Sequence, residues 1–172
     1  MFNTILKRFF LKKRVAYKLQ KQQPPLEHQK ISSIGVLIDE AYFSESSILV
    51  DEIIKYGFKQ EQVKLLVFRD KNKPKEVIKE PFLSPRNISI MGEISKPEVL
   101  DFLETPFDLL INYYDVSKFT LLILSIRSKA VFKVGFDGID KRVNHLIIKG
   151  EVENYKEYTA ELFKYLKILN KI

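Results

Sequence analysis

Cysteine is absent from the chain. Disulfides, thiolate nucleophiles and cysteine-ligated zinc are excluded with it, and the usage fits a reducing compartment. Long apolar runs are also missing, so no membrane-spanning helix is expected. The first residues do not read as a secretory signal, because charges interrupt them before a long apolar core can form. Glycine is missing from the turn after the first expected strand, Asp39 to Ser44. GxGxxG and Walker-type loops use glycine there to bring the backbone up to phosphate, so a nucleotide site of either kind is not expected. The two histidines, His28 and His145, have no cysteine or carboxylate at metal-ligand spacing. No metal site is therefore assigned. No Ser-His-Asp arrangement is legible from spacing, and no internal repeat is present. No cofactor is assigned.

Acid is absent from the start of the chain as far as Glu27. Lys7, Arg8, Lys12, Lys13, Arg14, Lys18 and Lys21 give the first 21 residues a charge of +7. The whole chain has 29 basic and 22 acidic residues, 29 − 22 = +7, so residues 22–172 balance to zero. The sequence pI of 9.4 thus describes a basic arm on a neutral body. Such segregation makes the arm the first place to look for a partner.

Within the arm, Phe2, Ile5, Leu6, Phe9 and Phe10 recur at helical spacing and share one face. Lys7 and Arg8 lie off that face, and the basic residues from Lys12 onward spread around the axis. Residues 1–21 therefore read as a basic helix. Gln20 to Gln23 and Pro24-Pro25 break it. The expected organisation is an arm over residues 1–25 and one domain over 26–172, a body large enough for a single core.

The body alternates strand and helix signals. Strands are expected at 31–39, 62–68, 87–91, 107–113, 131–136 and 144–149. Helices are expected from Phe43 or Ser44 to Tyr56, at 96–103, at 117–128 and at 154–169. Gly57 is placed to end the first of these helices and Pro97 to open the second. Arg69 to Arg86, rich in lysine and with three prolines, reads as a long surface loop. Phe107 to Tyr113 is nearly all apolar, as a strand buried on both faces should be. The helix at 117–128, with Ser117 as its N-cap, is apolar nearly all round. It is either sandwiched or a face for a second copy of the chain. Only seven residues separate the last two strands, too few for a helical crossover, which leaves a hairpin or a tight turn to a non-adjacent position. The last helix is expected to bury Tyr155, Tyr158, Leu162, Leu166 and Leu169. The pattern as a whole is that of an α/β, three-layer Rossmann-like sandwich with a mainly parallel sheet of five to six strands, plus the N-terminal basic helix.

FDLLINYYD (107–115), KAVFKVGFDG (129–138) and YLKILNKI (165–172) resemble a family of short, uncharacterised proteins from Bacteroidetes. The resemblance covers residues 31–172, and the arm more loosely. It implies no activity and no catalytic residues. The segment from Phe107 to Asp137 is also similar to the N-terminal half of heptosyltransferase-like GT-B glycosyltransferases, with Val134-Gly135-Phe136-Asp137 in the place of their "IGFD" strand end. Those enzymes need a second Rossmann half for the nucleotide sugar. A chain of 172 residues leaves no room for one, so only a similar half-fold is implied.

Ligands of open α/β sheets bind at the carboxyl ends of the strands. The residues expected there are Asp39, Glu40, Arg69, Asp70, Asn112, Tyr113, Tyr114, Asp115 and Asp137. Gathered acids could hold a hard cation such as Mg²⁺, or they could cap helices and solvate loops. Asp39-Glu40 and FDLLIN also resemble the acidic pocket of response-regulator receivers. Asn112 stands where the phospho-acceptor aspartate would be, and an amide cannot form an acyl phosphate.

Three readings of the arm follow. Phe2, Ile5, Leu6, Phe9 and Phe10 can insert in an anionic membrane while Lys7, Arg8, Lys12, Lys13 and Arg14 meet its headgroups. The same cations can bind nucleic-acid phosphates. Alternatively, the apolar face docks on the body and the charges are its solvated side. The functional expectation is a non-enzymatic binding module with its arm on a membrane surface or partner. The alternatives are a small-ligand or metal-dependent enzyme using the strand-end acids on a sugar- or phosphate-containing ligand, and a nucleic-acid-associated protein. The expected location is the cytoplasm, peripheral at the inner membrane if the arm inserts.

Overall fold

A computed structural model describes residues 30–70, 80–89 and 93–172. The expected arm helix, with Phe2, Ile5, Leu6, Lys7, Arg8, Phe9, Phe10, Lys12, Lys13 and Arg14, lies outside the described residues, as does His28. Six strands form one sheet: β1 (Ile34–Asp39), β2 (Val63–Phe68), β3 (Phe82–Leu83), β4 (Leu109–Tyr113), β5 (Phe132–Phe136) and β6 (Leu146–Ile148). Among the described residues four α-helices accompany them: α1 (Ser46–Ile54), α2 (Pro97–Glu104), α3 (Phe119–Arg127) and α4 (Tyr155–Ile168). The spatial order is β3-β2-β1-β4-β5-β6, and every pairing is parallel. This is the doubly wound order in which the chain reverses direction between β1 and β4.

All residues of β1, β4 and β5 are buried, because helices cover both faces of the sheet. Ile34, Val36, Ile38, Leu109, Ile111, Tyr113, Phe132, Val134 and Phe136 point to one face. There they pack with Leu49 and Ile53 of α1 and Tyr158, Leu162 and Leu166 of α4. Leu37, Leu110 and Tyr114 point to the other, against Val99 and Phe102 of α2 and Leu121 and Leu124 of α3. The α3 helix is sandwiched within the chain. Its outer residues Leu122 and Ile123 are buried with Val143.

Helix ends follow local chemistry. Gly57, with φ of 99°, takes the left-handed conformation just past α1 that a Cβ would disfavour. Pro97 opens α2, where its missing N–H costs nothing. Ser117 is not the α3 cap; Lys118 holds that position without a side-chain capping bond. Helix α1 buries Leu49, Val50 and Ile53, while Ile48 is exposed. Helix α4 buries Thr159 and Phe163 beside Tyr158, Leu162 and Leu166, while Leu169 is exposed.

Two connections differ from expectation. The third strand is Phe82–Leu83; of the segment expected at 87–91, Asn87 lies in a 3-10 turn, Ile88 makes a lone antiparallel bridge to Ile94, and residues 90–91 lie outside the described residues. Val67 N–H donates to the Pro81 carbonyl and Arg69 N–H to the Leu83 carbonyl. Pro81 contributes only its carbonyl to this edge pairing, so its missing N–H is no obstacle. Next, β6 is neither a hairpin partner nor distant; it lies parallel beside β5. A 3-10 turn at Lys141–Val143 replaces the crossover helix. Its Val143 packs on α3, and Asn144 settles over Gly135, where a Cβ would meet Asn144 Nδ2 at 2.5 Å. The His145 N–H then donates to the Lys133 carbonyl at 2.7 Å, and the Lys133 N–H donates to His145 Nδ1 at 2.8 Å. A short rise over the sheet is possible because Gly135 leaves the space that a side chain would fill.

At the opposite, amino edge of the strands, the Asp108 carboxylate ties β4 to β1. Its Oδ2 accepts from the backbone N–H groups of Ser32 and Ser33, both at 2.9 Å, and from their hydroxyls at 2.7 and 2.9 Å.

Candidate functional site

The reversal of strand order places the carboxyl ends of β1, β2 and β4 around one crevice. Asp39 ends β1 with its side chain wholly buried, and Lys118 at the start of α3 reaches back to it, Nζ to Oδ2 at 2.7 Å. Asp39 Oδ1 accepts from the Ala41 N–H at 3.1 Å. Lys118 Nζ also lies 3.6 Å from Asp70 Oδ2, and it sits over the rings of Tyr42 and Phe68 at 5.0 and 5.3 Å. Next to it, Glu40 and Arg69 form a two-pronged ion pair, Nε to Oε2 and Nη2 to Oε1, with Arg69 buried. Planar fork-to-carboxylate pairing is the strongest form such a contact takes.

The crevice thus holds three acids, Asp39, Glu40 and Asp70, against two cations, Lys118 and Arg69. The buried Asp39 and the partly buried Glu40 are already engaged. A hard cation would have to displace Lys118 from Asp39 or Arg69 from Glu40, each a hydrogen-bonded or close ion pair at low dielectric. Among the described residues no three acids or histidines converge as a metal set.

Asn112 and Tyr113 turn away from this cluster. Asn112 is one row deeper, in register with Leu37 of β1 and Gly135 of β5. It faces α3, where its Nδ2 donates to Ser125 Oγ at 2.8 Å and to Asn144 Oδ1 at 2.6 Å. Tyr113 points to the opposite face, among Phe43, Phe136 and Tyr158, and its hydroxyl donates to the Val152 carbonyl at 2.6 Å. Asp115 is half-buried and Asp137 exposed. Tyr114, which follows the register of Asp39, is fully buried near Ser125, and its hydroxyl makes no hydrogen bond of regular geometry. Burial raises both tyrosines well above the ordinary phenol value; for Tyr114 the Ser125 hydroxyl opposes the rise and the Asp39 carboxylate adds to it. Both phenols therefore stay protonated near neutrality.

Lys118, Ser125 and Asn144 were not singled out by the sequence. Lys118 did carry a signal: it is the only cation between Asp115 and Ile126, in the loop that follows the strand next to the reversal. Ser125 and Asn144 carried none, because their roles depend on the 3-10 crossover.

Sheet order and crevice together define a doubly wound α/β protein with a charge-compensated switch point. The chain belongs to a family of unknown function (DUF6913), whose model matches residues 7–169. No curated protein and no solved structure matches it.

Proposed function

We propose that the protein is a binding module held on an anionic membrane surface, at the cytoplasmic face of the inner membrane, by its basic arm. The observation that carries this reading is the placement of the entire excess charge in 21 residues that also repeat large apolar side chains at helical spacing. A helix of that composition gains from headgroup attraction and from insertion of its apolar face. The crevice supports the non-catalytic half of the reading, because its Asp39 and Glu40 carboxylates are paired with Lys118 and Arg69. Among the described residues no helix is long and apolar enough to cross a membrane, so attachment of this kind would be peripheral.

The test is binding of the full chain to phosphatidylglycerol-containing vesicles, compared with the variant K12Q/K13Q/R14Q. At about 1 kcal/mol per cation, the triple variant is expected to bind about 100-fold more weakly, with an unchanged thermal melt. Equal binding by both chains, or none by the wild type, would sink the reading. A chain that ignores vesicles but binds RNA or DNA in the same buffer would assign the arm to nucleic acid.

A further inference from the structure

Helix α4 leaves an apolar stripe uncovered near its end. Tyr165, Ile168 and Leu169 are 38%, 68% and 43% exposed. At spacings of three and four residues they fall on one side of the helix. The remaining exposed large apolar residues among those described, Tyr42, Ile48 and Val116, lie on three other segments.

The chain enters the body beside this stripe. Lys30 Nζ donates to Asn170 Oδ1 at 3.1 Å and to the Ile172 carbonyl at 3.0 Å, and the Ile31 N–H donates to the Lys171 carbonyl at 2.8 Å. Asn170, with φ of 54°, turns the chain out of α4, and the Lys171 N–H closes the turn on the Leu166 carbonyl at 2.8 Å. Between Pro25, where the arm ends, and Lys30, the chain spans at most about 18 Å. The arm is therefore tethered within one helix length of the stripe, and so short a tether gives an effective concentration of order mM. The family match runs from Lys7 to Leu169, so Phe9 and Phe10 of the arm fall in the same family unit as the stripe.

We infer that the stripe Tyr165–Ile168–Leu169 is the seat of the chain's own arm, which lays Phe2, Ile5, Leu6, Phe9 and Phe10 on it when no membrane is present. The arm's apolar face is the same one that the membrane reading inserts in lipid. The inference rests on that amphipathic pattern but not on lipid binding itself. Its consequence is competition: an anionic surface must draw the arm off α4, so the seat raises the lipid concentration needed for attachment.

The chain has no tryptophan, so Phe9→Trp in the full chain is a single reporter. Without vesicles, its emission is expected to be blue-shifted, with acrylamide quenching several-fold weaker than in the same reporter carrying I168E/L169E. The two replaced side chains are exposed, and Ile168→Glu alone serves if the pair perturbs the fold. Equal emission and quenching in both backgrounds overturns the seat. Shielding that disappears on dilution also overturns it, by assigning the stripe to a second copy of the chain. Adding anionic vesicles separates the two readings. A Trp shielded in solution but indifferent to vesicles keeps the seat and discards the membrane. A Trp exposed in solution but shielded by vesicles does the reverse. If both hold, I168E/L169E is expected to bind vesicles several-fold more tightly.

Discussion

Lys118→Ala is expected to destabilise the protein by about 3 kcal/mol, the lower end of the cost of leaving one partner of a buried ion pair behind. The Asp39 side chain has no solvent exposure, whereas Lys118 keeps 20% of its own. Without the ammonium, the Asp39 carboxylate retains only the Ala41 N–H. For a domain of this size the melting temperature should fall by roughly 6–12 °C. The loss comes from stranded charge and not from missing packing, so Asp39→Asn in the K118A background should restore part of it. A thermal or urea melt of the two single variants and the double variant decides the matter. A loss under about 1 kcal/mol in K118A would mean that water already solvates the pair.

The second large effect lies at the other end of the strands. Burial works to raise the Asp108 pKa, but the backbone and hydroxyl hydrogen bonds from Ser32 and Ser33 outweigh it and hold the carboxyl below its ordinary value. Asp108→Ala removes one acceptor shared by four donors and is expected to cost about 2–3 kcal/mol. The pH dependence has a definite sign. A carboxyl whose folded pKa is depressed adds stability that is fully present above the unfolded value near 3.8 and fades as pH falls through the lower, folded value. The stability gap between wild type and D108N should therefore be constant from pH 5 to 7 and shrink below about pH 4. A gap independent of pH down to acid unfolding would show that the charge of Asp108 contributes nothing.

Both effects involve residues whose partners are remote in sequence, which is why the sequence showed the strands but not these contacts. Periodicity and turn chemistry placed β1, β2, β4 and β5 within a few residues, because each is a buried run between clear breaks. Gly57 and Pro97 marked helix ends for reasons that act within one turn. The failures have physical causes of the opposite kind. Phe82–Leu83 is a two-residue edge strand that leans on β2, so its own pattern is too short to register. The parallel β6 needed a crossover shorter than a helix, possible only because Gly135 makes room for Asn144 across the sheet. Of the expected strand-end residues, Asp39, Glu40, Arg69 and Asp70 gather around Lys118. Asn112 and Tyr113 follow the strand pleat inward, one to each face of the sheet. A reading that counts residues near a strand end cannot separate these cases until register and pleat are known.

What unifies sequence and structure is the division of charge. The body is neutral overall, and the acids at its switch point are matched by cations from their own neighbourhood: Asp39 by Lys118, Glu40 by Arg69. The arm has seven cations and no acid of its own. A surplus of that kind, beside large apolar side chains, is suited to a surface that offers both negative charge and hydrocarbon.

The most direct test is flotation of the full chain with vesicles of phosphatidylcholine alone or mixed with phosphatidylglycerol, across a range of salt. The account predicts flotation with the mixed vesicles only, weakening as salt screens the headgroups. Equal flotation with both compositions, or with neither at low salt, would contradict it.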